Sequence, residues 1–125
     1  MVTSLRADPF ERAVFTRARR LCLSFPETTE TASWDHPNFR AGRKTFCTFE
    51  MIKGRPSIAF RLSPVDVKLA LSQKHGFATP YGRGLWASLW LDSTIDWKLV
   101  ATLLDRSYRI VATKQMQARM RVRHK

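Results

Sequence analysis

"ETASWDHPNFRAGRKTFCTFEMIKGRPSIAFRL", residues 30 to 62, decides the fold. Its apolar residues do not recur at helical spacing but fall in short, Thr-rich, strand-like segments at 30 to 35, 44 to 51 and 57 to 62. Asn38 to Arg43 and Lys53 to Pro56 separate them. Those connections hold Gly42 and Gly54, which supply the positive φ of a tight hairpin. Three consecutive antiparallel strands are the simplest result.

Working outward, Asp8-Pro9 followed by Glu11 is a helix start: Asp8 caps free amides and Pro9 lacks the one it would waste. Phe10, Val14, Leu21, Cys22 and Phe25 keep helical spacing until Pro26. Beyond residue 62, Ser63-Pro64-Val65-Asp66 repeats the signature, and a second helix is expected through Leu69 and Leu71 to Lys74 and His75, with Gly76 as its exit. A short extended piece, Phe77 to Pro80, precedes "WASLWLD" at 86 to 92. That run alternates, with Trp86, Ser88 and Trp90 on one face and Ala87, Leu89 and Leu91 on the other. The last helix is expected near Ser93, with Asp96 in its first turn and Trp97, Val100, Leu104, Tyr108 and Val111 along one face. The fold class is α+β, an antiparallel sheet with helices in the order α-β-β-β-α-β-β-α. Residues 1–125 form a single domain in this reading, with a basic C-terminal helix extension at 113–125.

A chain of 125 residues has enough length for one core. Apolar runs are broken well short of a bilayer span and the start lacks a secretory pattern, so a cytoplasmic protein without a membrane segment is expected. Cys22 and Cys47 each lie among apolar neighbours and fit buried side chains better than a redox pair. The net charge of +12 exceeds what solubility requires and favours a polyanionic partner. From Lys114 to Lys125 there are five cations and no acid, and Arg17, Arg19 and Arg20 crowd the first helix.

Catalytic chemistry finds little support. Asp35 would point away from His36 on an extended segment, so the histidine is expected to bond a backbone group where the hairpin begins. His36, His75 and His124 have no metal-ligand spacing with one another or with a cysteine, and no metal or other cofactor is expected. No nucleophile motif or carboxylate pair appears, and catalytic residues are none in this reading. Gly82-Arg83-Gly84 lacks the following helix of a phosphate loop.

Four separated stretches, "SWDHPNFRAGRKTF", "IAFRLSP", "PYGRGLWASLWLD" and "DWKLVATLLDRSYRIVA", resemble the MmcQ/YjbR-like proteins in order, from about Pro9 to Ala112. Trp34, His36, Pro37 and Phe39 match one family stretch; Tyr81, Gly84 and Trp86 match another. Many relatives carry a basic residue and His beside the Trp, where this chain has Gly84-Leu85. The resemblance implies a CyaY-like α+β fold and DNA binding through a double wing.

Charge and resemblance together lead to the expectation of a nucleic-acid partner, double-stranded DNA, held through its phosphates. The contacts would be Arg40, Arg43, Lys44, Lys53 and Arg55 on two hairpin tips, with Arg119, Arg121 and Arg123 as an extension. The tips are expected at related ends of the sheet. A rival is a small-molecule or metabolite pocket of Trp34, His36, Arg40, Tyr81, Arg83 and Trp86. A third option is a homodimer on the Trp86 and Trp90 face, and those tryptophans otherwise need the C-terminal helix or a planar ligand to cover them.

Overall fold

The computed structural model describes residues 8–33 and 35–123, with side chains described as far as Met120. Trp34 and the side chains of Arg121 and Arg123 lie outside the described residues, as does His124.

Asp8 accepts a hydrogen bond from the Phe10 amide and opens a 3-10 turn, Pro9–Glu11, ahead of α1 (Ala13–Leu23). Pro26 then ends the helical stretch and the chain enters four strands joined by tight turns: β1 (Thr28–Ser33), β2 (His36–Ala41), β3 (Lys44–Ile52) and β4 (Arg55–Arg61). Helix α2 (Pro64–Leu71) begins where the Ser63 side chain accepts from the Asp66 amide. Strands β5 (Gly76–Ala78) and β6 (Trp86–Trp90) follow. Asp96 caps α3 (Trp97–Val111) through the Leu99 amide, and α4 (Lys114–Arg123) closes the described chain.

The sheet is antiparallel, in the order β1-β2-β3-β4-β6-β5. Helices pack on one side of it: α3 on β3 and β4, α2 on β5 and β6, and α1 on β1 and α3. The core lies between, where Phe15, Phe39, Phe46, Phe49, Phe60, Leu103, Leu104 and Tyr108 are fully buried. Each such side chain contributes about 1.5–3 kcal/mol of transfer free energy. A bulge helps fill that core. Phe39 pairs with Cys47 but Arg40 pairs with Thr45, so Phe46 is skipped and joins Cys47 on the helix side. There its ring meets Phe25 and Tyr108.

The α+β class stands, with one strand more than the order α-β-β-β-α-β-β-α contains. Residues 38 to 43 are not a loop: all but the last two belong to β2, and the turn is only Gly42-Arg43. Helix α2 ends at Leu71 rather than His75, because Ser72 caps it and the chain must turn back toward Gly76. Gly76 is a strand residue set so close to α2 that a Cβ there would lie 1.9 Å from the Ala70 oxygen. Helix α3 starts at Trp97, with Asp96 as its cap rather than in its first turn. Among the described residues no helix is long and apolar enough to cross a membrane.

Candidate functional site

Strand alternation sends Phe39, Cys47, Phe49, Ile58, Phe60, Ala87 and Leu89 to the helices. The opposite face carries three rows running across the strands. Arg40 and Thr45 pair at one end of the sheet, where Arg61 pairs with Trp86. Asn38, Thr48, Ala59, Ser88 and Phe77 form the middle row. His36, Glu50, Ser57 and Trp90 form the third, from the pairings of Glu50 with Ser57 and Ser57 with Trp90.

The loop before β6 folds back over this face. Thr79 is tied to Ser88 by a 2.7 Å hydrogen bond between their hydroxyls. Gly82, Arg83 and Gly84 all take positive φ, and Gly82 lies so near the Trp86 ring that a Cβ would approach its Cδ1 to 2.2 Å. That reversal carries Tyr81 over the sheet, where its hydroxyl donates to Glu50 Oε2 at 2.6 Å and lies 3.3 Å from Thr48 Oγ1. Burial first, and then the hydrogen bond to Glu50, push the Tyr81 hydroxyl well above its ordinary range.

Between loop and strands lies a cleft of about 480 Å³ lined by Ser33, His36, Asn38, Thr45, Thr48, Tyr81 and Trp86. Its side chains offer both polarities. The Asn38 amide donates to Ser33 Oγ at 3.0 Å and to the His36 carbonyl at 3.1 Å, which leaves its own carbonyl oxygen as an acceptor. His36 Nε2 stands 3.9 Å from Glu50 Oε2, while His36 Nδ1 and Glu50 Oε1 are buried with no hydrogen-bond partner. The histidine ring thus bonds no backbone group, contrary to expectation; the hairpin start is held instead by Asn38.

The structure separates the two hairpin tips. They are joined by the nine-residue β3, so Arg43 and Lys44 stand at one end of the sheet and Lys53 and Arg55 at the other, roughly 26 Å away at the rise of an extended strand. Arg40 is a strand residue on the open face rather than a tip residue. Arg55 is engaged: it bonds Asp92 at 2.6 and 3.2 Å, and its guanidinium stacks 3.8 Å above the Trp90 ring. Arg119 is paired with Glu27. Arg83 is exposed on the loop beside the cleft.

A different set of cations comes together. The strand directions bring the end of β2, the start of β3, the end of β4 and the start of β6 to one edge, which holds Arg40, Arg43, Lys44, Arg61 and Arg83. Lys44, paired with the buried Ala41, leaves this edge on the helix side of the sheet. Among the described residues no carboxylate pairs with any of the five, and Arg61 bonds the Leu62 carbonyl. Acids occupy Arg19, Arg55, Arg106, Arg109 and Arg119 instead; the one nearest this edge, Glu27, whose carbonyl meets the Gly42 amide, is taken by Arg119. Sequence reasoning did not single out Arg61, nor Asn38, Thr45, Thr48 and Glu50. The period-two alternation of β2 to β4 was the signal available for them.

Of the two β6 tryptophans, Trp90 is covered within the chain. Phe77 stacks on it at 4.1 Å and 20°, and Arg55 takes its other contact. The C-terminal helix covers neither, since Met120 is buried beside the α1–α3 groove instead. Trp86 is half-buried, with Tyr81 tilted 57° to it at 6.2 Å. Among the described residues no three His, Cys, Asp or Glu side chains are grouped to hold a metal ion.

The sequence pattern of one family, YjbR, matches residues 23–110. The chain belongs to the YjbR family. That span covers β1 to nearly the end of α3, and so contains the open face, the loop and the basic edge. Solved structures agree on the fold. A Deinococcus radiodurans protein, DR2400, described as a DUF419 domain, is 19% identical with a TM-score of 0.66, over 78% of this chain and 77% of its own. A Pseudomonas syringae protein is 17% identical with a TM-score of 0.58, over 68% of this chain and 87% of its own. No functionally curated protein matches the chain.

Proposed function

We propose that this YjbR-family protein binds nucleic acid through its phosphates at the basic edge of the sheet. The supporting observation is that Arg40, Arg43, Lys44, Arg61 and Arg83 share that edge and that none of them is paired with a carboxylate among the described residues. The overall charge of +12 adds long-range attraction. A double wing that straddles phosphates between the two tips is not part of this reading, because β3 holds the tips apart. It is a binding rather than a catalytic reading, for a cytoplasmic protein.

Five phosphate contacts imply that log affinity falls with log salt at a slope of about −4 to −5 on duplex DNA. Anisotropy of a labelled oligonucleotide across a salt series tests this. Arg43→Ala with Lys44→Ala reduces the slope by about 2, and Lys53→Ala leaves it unchanged. A flat salt response, or no binding at low salt, rejects the reading.

A second reading is favoured by the cleft itself. His36, Tyr81 and Trp86, which the family resemblance singles out, meet in one cavity of a size usual for small-molecule sites. In that case Trp86→Ala abolishes binding of the small molecule and leaves the salt-dependent affinity untouched.

A further inference from the structure

The basic edge and the cleft are one continuous surface. Thr45, which lines the cleft, is the strand partner of Arg40; Trp86, which lines it too, is the partner of Arg61. A ligand that reaches both must combine an anion with a flat, hydrogen-bonding body. From this we infer that the cleft receives one unpaired nucleobase of a nucleic-acid strand whose phosphates lie along Arg40, Arg43 and Arg61. The inference rests on the phosphate-binding reading above and adds strand type to it.

Three features select this occupant. Trp86 is the β6 tryptophan left without a stacked ring, whereas Trp90 is already sandwiched, so only Trp86 has a face to give to a base. The cleft wall offers the free carbonyl of Asn38 together with the hydroxyls of Ser33 and Thr45, which suits the mixed donor and acceptor edge of a base. Among the described residues no carboxylate lines the cleft to repel the neighbouring phosphates; Glu50, beside it on the same face, is tied to Tyr81. A paired base has its faces covered by its neighbours and cannot enter without unstacking, at a cost of a few kcal/mol for a duplex step. The surface therefore prefers single strands, loops or frayed ends over uninterrupted duplex.

The test uses the full chain and two fluorescein-labelled probes: an oligodeoxythymidylate of about a dozen nucleotides, and a blunt hairpin duplex with the same number of phosphates. The single strand is expected to bind more tightly. Trp86→Ala lowers its affinity about tenfold and changes hairpin affinity by less than about twofold, whereas Arg40→Ala with Arg43→Ala weakens both. Trp86→Phe keeps a ring and the fold, so it retains most of the affinity but loses the quenching of tryptophan emission caused by the strand. Equal losses on both probes in Trp86→Ala, or full quenching in Trp86→Phe, overturn the inference and leave the phosphate reading standing. Displacement of the strand by an equal concentration of thymidine monophosphate overturns the assignment to a strand. Absence of binding to either probe overturns both readings.

Discussion

Tyr81 reaches from the loop before β6, over β4, to donate its hydroxyl to Glu50 on β3 at 2.6 Å. This contact latches the loop to the sheet and shields a carboxylate whose other oxygen has no partner. Tyr81→Phe removes the donor and leaves Glu50 less satisfied, so it destabilises the fold by about 1–2 kcal/mol in urea titration. Alkaline pH reports on the same contact. The folded protein keeps the Tyr81 proton that the unfolded chain releases near pH 10, so this stability is fully present below that pH and declines as pH rises above it. The wild type should lose more stability than Tyr81→Phe across that alkaline window; parallel curves would refute the coupling.

Arg55 offers the contrasting case of a cation committed to the fold. Its hydrogen bond to Asp92 holds that carboxyl below the usual range, an influence larger than any other on the group. A depressed folded value contributes stability above the unfolded value near 3.9, and that contribution disappears as pH falls through the folded one. Asp92→Asn therefore flattens the acid limb of the stability curve. In the same preparation, Arg55→Ala should leave oligonucleotide affinity within about twofold while Arg43→Ala lowers it, because the two arginines occupy opposite ends of β3.

Much of this arrangement is legible in the residues. The alternation in "WASLWLD" matches the two faces of β6, and Ser63-Pro64 marks the start of α2 with its side-chain cap. Asp8-Pro9 marks only the 3-10 turn: the extended backbone of Arg12 interrupts the run, and α1 begins at Ala13 without a side-chain cap. Strand β2 was hidden because Pro37 and Asn38 look like turn residues. Proline is tolerated at that place for a register reason: Ser33 and His36 close the β1–β2 hairpin, and pairing with β3 begins only at Asn38, so the missing amide of Pro37 faces no partner. The separation of the basic tips was readable in principle, since two hairpins that share one strand turn at its opposite ends. The convergence of Arg83 with Arg40 and Arg61 was not, because it depends on β6 pairing with β4 rather than with β5 alone.

Gly76 and Gly54 should respond very differently to the same substitution. Gly54 sits in the Lys53-Gly54 turn at φ 80 with open space around its Cβ direction, so Gly54→Ala costs only the left-handed strain, about 1 kcal/mol. Gly76 meets the Ala70 carbonyl, which is helix backbone and cannot swing aside. Gly76→Ala therefore costs at least about 3 kcal/mol, or abolishes folding. Comparable denaturation midpoints for the two variants would contradict the packing of α2 on β5.

Cys22 of α1 and Cys47 of β3 are both fully buried free thiols. Burial chiefly, and then the Cys22 side chain, push the Cys47 thiol well above its ordinary value. A thiol in that environment supplies almost no thiolate at neutral pH, and the core around it excludes reagent. Ellman's reagent should label neither cysteine in the native protein on a timescale of minutes and both after unfolding, so the labelling rate becomes a reporter of global opening. Because α1 and β3 must part before either sulfur is reached, Phe15→Leu, which loosens the ring that stacks on Phe49 at 5.0 Å, should accelerate labelling of both together. Fast labelling of one cysteine alone would instead place an opening between α1 and the sheet that leaves the rest of the core closed.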